Sequence, residues 1–389
     1  MDHASGSPVD KRVIETMMPY FTDEVGNPAS LHTSGMNANI ALEDARENVA
    51  DFIGADSSKN IIFTSSGTES NNLALRGLTH RKKSKGKHII TTSIEHMSVL
   101  NTCKDLQRDG FDVSVIPVGS DGMMDVDAIT EAVTDETILI SAMYANGEIG
   151  TIQPIREIGE MAHDYKITFH VDAVAACGKI PIDVEKDNID LLSMASNDLY
   201  GPRGVGTLYV KSGVPLRPQI TGGGQEHGMR SGSENIAGIV GFSKACEIAK
   251  AEMKSEGERL IKLRDRLIDG ILGNIDYSYI TGHNSKRLPN NASVRFSFIE
   301  GESIILGLNA VGVEASTGSA CSVKTLEPSH VLIAIGLKQE EAHGSLLMTL
   351  GRQNTDADVD HVLENIPAIV ARLRAMSPLY PGDKHGSGT

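Results

Sequence analysis

The chain has 389 residues, 40% of them apolar and 22% charged, with a formal net charge of −15. That length exceeds one small core and predicts two domains, while the acidic balance argues against nucleic acid or an anionic membrane as a partner. No apolar stretch approaches the roughly 18 residues of a membrane span. The start, Met1-Asp2-His3-Ala4, lacks a signal-peptide pattern, so a cytoplasmic location is expected. Cys103, Cys177, Cys246 and Cys321 are scattered with no CxxC spacing, which argues against a zinc knuckle formed by this chain alone and against a disulfide framework. A chemically important cysteine must therefore act singly.

In chain order, short apolar runs alternate with helical ones between about residues 60 and 211. The runs at 61–64, 88–90, 113–116, 138–141, 168–171, 190–195 and 207–210 read as buried strands. Intervening segments such as 69–81 and 97–108 read as helices. This alternation predicts an α/β domain with a mostly parallel seven-stranded sheet covered on both faces, and the turn at Gly201-Pro202 allows one reversed edge pair. A long helical region over about 236–271 leads into a smaller α+β domain. That domain is read as a strand at 292–298, a helix at 303–310, a strand near 345–350 and a final helix at 356–376. The expected division is an N-terminal segment 1–14 joining the small domain, a large domain 15–250, a small domain 251–379, and a disordered tail 380–389.

Several positions carry chemistry. Ser65 to Ser70, with Gly67 and Thr68, mark a strand-to-helix junction whose free N–H groups suit a phosphate; capping is the bland alternative. His96, after Glu95, offers a ring to stack on a planar cofactor, or a polar cap. Asp172 in His170-Val171-Asp172-Ala173 sits at the C-terminal end of a strand, where open α/β sheets place ligands. A protonated pyridine nitrogen would match that acid. Cys321 lies in a run of small residues, 315–322, within a loop over 315–328 that is expected to move and so to carry a reactive thiol. Arg352, after Leu350-Gly351, suits a bidentate carboxylate clamp.

These signals, taken in order, resemble the cysteine desulfurases. Gly-Thr at 67–68, Glu-His at 95–96, His-Val-Asp-Ala at 170–173, Gly-Pro-x-Gly at 201–204, Gly-Met-Arg-Ser-Gly-Ser at 228–233, Gly-Ser-Ala-Cys at 318–321 and Leu-Gly-Arg at 350–352 follow the family's sequence. The Leu-Glu-Pro-Ser-His-Val-Leu run at 326–332 is similar to the branch with the long cysteine loop. The resemblance implies the fold-type I architecture of pyridoxal phosphate (PLP) enzymes and a homodimer with shared active sites. It also implies phosphate contact by Thr68, ring stacking by His96 and a pyridinium partner in Asp172. It assigns Ser233 to the phosphate of the neighbouring subunit's cofactor, the substrate carboxylate to Arg352 and the persulfide to Cys321. Ser196, Asn197 and Asp198 fall on the cofactor-anchoring segment.

The chain departs from the family at that segment. Asp198 stands where the family has the lysine that holds PLP as a Schiff base, and Asn197 replaces the preceding histidine. Ala195, Gly147 and Ala175 stand at positions where the family commonly has a serine, an asparagine and a glutamine at the cofactor. Lys179, Lys186 and Lys211 all lie outside the motif, so none is an obvious replacement. The resemblance then implies PLP held without a covalent bond if bound, and Asp198 as a possible base. The expected activity is sulfur transfer from L-cysteine, giving L-alanine, through a Cys321 persulfide to an iron–sulfur scaffold protein. The alternative is a weakly catalytic or non-catalytic dimer in which Cys321 accepts sulfur or ligates a cluster shared with the scaffold.

Overall fold

The computed structural model describes residues 1–318 and 328–381. The apolar runs form a seven-stranded sheet: β1 Ile61–Thr64, β2 His88–Thr92, β3 Asp112–Ile116, β4 Thr137–Met143, β5 Thr168–Asp172, β6 Leu191–Ala195 and β7 Gly206–Val210. Their order is β1-β7-β6-β5-β4-β2-β3. From β3 across to β6 every pairing is parallel. These strands read as continuous apolar runs because helices cover both faces; only β3, at the sheet's edge, is largely open to solvent.

The reversed strand differs from the expectation of an edge pair. β7 runs antiparallel to both β6 and β1, so it lies inside the sheet and β1 closes that edge. The reversal is made in ten residues by left-handed backbone at Tyr200 (φ 62°) and Gly204 (φ 85°). Such a turn returns the chain beside the strand it left, and β1 then pairs with β7 on its free side.

The outer edge of β1 is sealed by an ion pair. Arg46, on the helix Thr33–Phe52, donates from Nη1 to the Ile61 carbonyl at 2.7 Å, and the Phe63 N–H donates to Glu226 at 2.8 Å. Those two backbone groups would otherwise be the open ladder of an edge strand. Arg46 and Glu226 also bind each other side by side, at 2.7 and 3.0 Å, with side chains only 2% and 3% exposed. Glu226 and His227 both have positive φ, 49° and 56°, so the loop accepts unfavourable backbone to deliver this carboxylate.

A second sheet of β8 Ser278–Ile280, β9 Asn291–Phe296 and β10 Ser345–Thr349 is antiparallel, in the order β10-β9-β8. It has its own core, including Leu267, Ile271, Phe296, Ile304, Leu346 and Val362. The helix Ile236–Asn274 belongs to both cores: Phe242 and Cys246 pack on the large sheet, Leu263 and Leu267 on the small one. The first residues run along β10, with the Thr349 N–H donating to the Met1 carbonyl at 2.9 Å. No helix among the described residues is long and apolar enough to cross a membrane.

Removing one partner of a buried ion pair typically costs about 3–5 kcal/mol. Arg46→Ala is expected to lose that amount in urea unfolding, because it also strips the Ile61 carbonyl and leaves Glu226 buried without its cation.

Candidate active site

The C-terminal ends of β4, β5 and β6 and the starts of two helices enclose a cavity of about 620 Å³. Gly67, Thr68, His96, Asp172, Asn197 and Asp198 all line it. Six positions scattered over 132 residues of sequence thus meet in one place.

The helix Gly67–Lys82 begins at the cavity, capped by Ser66, whose hydroxyl accepts from the Glu69 N–H at 3.1 Å. Its first turn leaves N–H groups at Gly67 and Thr68 unspent within the helix. Glycine is needed at 67: a Cβ there would lie 2.5 Å from Val174, which follows β5. Glu69 turns back to accept from the Ser65 N–H at 2.8 Å and from Arg230 at 3.0 Å, which ties the 222–233 loop to this helix start.

Asp172 ends β5 and is 5% exposed. One oxygen accepts from the Val174 N–H at 3.0 Å and the other from Asn71 Nδ2 at 2.7 Å. Asn71 Nδ2 also donates to Ser98 Oγ at 2.8 Å, and Ser98 Oγ is 2.7 Å from His96 Nδ1. The buried acid and the exposed imidazole are therefore joined by one hydrogen-bonded chain. His96 caps the helix Met97–Arg108, its Nδ1 accepting from the Ser98 N–H at 3.1 Å. That contact places the neutral ring's proton on Nε2. Sequence reasoning missed Asn71 and Ser98. Asn71 lies three residues after Thr68, on the same helical face, and that spacing is the signal by which it could be found.

Two carboxyls, Glu95 buried and Glu148 half-buried, flank the chamber. Glu95 accepts from Thr92 at 2.6 Å and from the Met143 N–H at 3.0 Å, while its other oxygen has no partner. Burial pushes it up to about 8. Glu148, also lining the cavity, is pushed up by burial to about 7 despite a hydrogen bond from Ser329.

Asp198 does not stand alone. Its Oδ2 accepts from Asn197 at 2.9 Å, and Lys179 Nζ lies 3.6 Å from its Oδ1. Burial raises the Asp198 carboxyl, Lys179 and His96 draw it down, and Asp172 pushes it up. Lys179, set aside on sequence position, thus lines the cavity itself.

Other expected residues lie elsewhere. Ser196 does not line the cavity among the described residues; its buried hydroxyl has no partner and faces the turn, where a Cβ on Gly201 would come within 2.2 Å of it. Ala195 lines the cavity, and the next residue turns to the opposite side. Ser233 is exposed and also outside the lining. Arg352 lines a smaller adjoining cavity that shares Lys179, Asp198 and Asn290 with the main one. Its guanidinium binds Asp10 at 2.8 Å, lies 3.4 Å from Glu252 and covers the Tyr200 ring at 4.6 Å. Cys321 lies outside the described residues. Cys103, Cys177 and Cys246 are buried, and burial raises all three thiols.

The cavity fits pyridoxal phosphate held without a covalent bond to position 198. A ring-sized space has a partnered acid on one wall, an imidazole beside it and unspent N–H groups at a helix start. Gly147 and Ala175 both line the cavity, a Cβ on Gly147 falling 3.4 Å from Ala175, and neither offers a polar side chain to a ring.

The chain matches the aminotransferase class-V family over residues 1–362. It is 56% identical over 379 residues to cysteine desulfurase IscS 1 of Archaeoglobus fulgidus, covering 97% of this chain and 98% of that one. It is 52% identical over 381 residues to cysteine desulfurase IscS of Methanosarcina thermophila, covering 98% and 94%. Among solved structures, a NifS-like protein superposes with a TM-score of 0.90 at 38% identity, covering 96% of this chain and 99% of that one. SspA in complex with cysteine gives 0.81 at 36%, covering 90% and 97%.

The buried carboxyls make stability depend on pH. Glu95 ionises near its ordinary value of 4.5 when unfolded and near 8 when folded. Between those values the folded chain keeps a proton that the unfolded chain has lost, so stability falls as pH rises. Urea unfolding at about pH 5.5 and about pH 7.5 should show that fall, up to about 1.4 kcal/mol per pH unit from one such group. Glu95→Gln should reduce it, leaving the part due to Glu148.

Proposed function

The chain belongs to the class-V aminotransferases and, within them, to the cysteine desulfurases, and on that premise we propose that it takes sulfur from L-cysteine for iron–sulfur cluster assembly. The observation that carries this reading is the linked set Asp172, Asn71, Ser98 and His96 beside a helix start, in one cavity of a chain whose full-length relatives are named cysteine desulfurases. PLP, when bound, supplies the electron sink for the bonds broken at the substrate's carbon atoms.

The protein's own groups do the rest. The first turn of Gly67–Lys82, with Thr68, takes the phosphate. Asp172, fixed by Asn71 and Val174, supplies the negative charge opposite a protonated ring nitrogen. His96, locked at Nδ1 by Ser98, lays its ring beside the cofactor and offers Nε2–H. Arg352 takes the substrate carboxylate. Hydrogen bonding to Arg12, assisted by the charge of Arg352, holds Asp10 ionised at about 2, so the substrate competes with Asp10 for the guanidinium.

The Cys321 thiolate attacks the substrate's sulfur, the carbon–sulfur bond breaks and the carbon gains a proton. L-alanine leaves, and Cys321 carries a persulfide. That sulfur passes to a scaffold protein. Ser233, exposed on a loop held by Arg230–Glu69, would serve the cofactor of a second subunit in a homodimer.

The decisive experiment follows the absorbance of the protein with PLP and then L-cysteine, with alanine and sulfide assayed afterwards. A cysteine-dependent spectral change and alanine production are expected, with sulfide release lost in Cys321→Ala. Absence of alanine would sink the reading and leave Cys321 as an acceptor of sulfur or a cluster ligand. Asn71→Ala should raise the dissociation constant for PLP by about ten- to a hundredfold, since a hydrogen bond to a charged group contributes about 1.5–3 kcal/mol. A PLP titration read by absorbance measures that change.

A further inference from the structure

Position 198 presents a carboxylate where the desulfurase reaction calls for an amine, and an amine reaches the same place from another part of the chain. Lys179 ends the turn that follows β5, and its Nζ donates to the Ala175 carbonyl at 3.0 Å and lies 3.6 Å from Asp198 Oδ1. It is the one lysine among the described residues that line either cavity, and it lines both. The Lys179 and Asp198 side chains are only 19% and 16% exposed. Asp198 lies within the electrostatic reach of both Asp172 and His96. The pair therefore sits among the groups that would hold the cofactor ring. An aspartate side chain ends two bonds short of a lysine's amine, and Lys179 supplies the nitrogen just beyond it.

We propose that Lys179 is the residue through which this chain attaches pyridoxal phosphate, with Asp198 as its counterion. The assignment rests on the desulfurase reading above. Asp198 takes the proton that frees the Lys179 amine. The nitrogen then attacks the aldehyde carbon, a C=N bond forms, and the aldehyde oxygen leaves as water. Nothing is oxidised or reduced. Asp198 then returns its proton to the linked nitrogen, which carries the same positive charge as the ammonium did, so the ion pair is restored. Burial raises Asp198, which makes it a better proton acceptor than an exposed aspartate.

The test treats the full-length protein with one equivalent of PLP, reduces it with borohydride and maps the modified peptide by mass spectrometry. The phosphopyridoxyl group is expected on Lys179. Lys179→Arg, which preserves a cation beside Asp198, should lose the label, and Asp198→Lys should shift it to position 198. Wild-type protein with the label on another lysine, or with none, overturns the assignment. Alanine formed from cysteine while Lys179 stays unlabelled removes this assignment and leaves the desulfurase reading standing. A labelled Lys179 without alanine production sustains the assignment and removes that reading.

Discussion

A carboxylate at the end of a buried parallel strand has to be answered, and the cavity is arranged around how Asp172 is answered. Burying an ionised acid without partners costs several kcal/mol. Two hydrogen bonds, from Asn71 and from the Val174 N–H, meet part of that cost. Asn71 lies on the helix that starts at Gly67, so the acid fixes the helix whose first turn opens on the cavity. Ser98 passes the same constraint to His96 on the next helix. Helix start, imidazole and acid are one hydrogen-bonded unit built from two helices and a strand end.

The second acid changes the balance of that unit. Asp198 brings negative charge near Asp172, and the only lysine lining the cavity among the described residues lies against it. An aspartate at 198 and a lysine at 179 together preserve the charge that a neutral residue at 198 would upset. Gly147 and Ala175 both line the site, and neither offers a polar side chain to a ring.

Much of this was legible in the sequence. The strand ends at Thr64, Asp172 and Ala195 follow from continuous apolar runs, and the ligand positions follow from those ends. The helix Thr33–Phe52 gave little signal because its buried residues are mostly small, Ala38, Ala45 and Ala50, between polar ones. β8, three residues of mixed burial, had no apolar run to announce it. Asn71 was hidden as an ordinary helical residue, and its role depends on a contact with a residue 101 positions away. Lys179 is distant from position 198 in sequence and adjacent to it in space. A turn after β5 brings it back to the neighbouring strand's end. Arg352 was identified by residue type, but its engagement with Asp10 spans 342 positions and no local pattern encodes it.

The Arg46–Glu226 pair has a consequence for how the chain is made. The groups that seal β1 lie 180 residues apart, and β7, the strand β1 pairs with, is itself far downstream. As the chain emerges from the ribosome, β1 is among the earliest strands synthesised and among the last to find its neighbours. Until β7 has cleared the exit tunnel the strand exposes two open edges of unpaired backbone, and until residue 226 has cleared it, one. Such a long delay between synthesis and pairing is the interval in which a chaperone would find its grip, and its length is set by topology. The same loop is tied by Arg230 to the start of the helix Gly67–Lys82, so the contact that seals the sheet edge also braces one wall of the cavity.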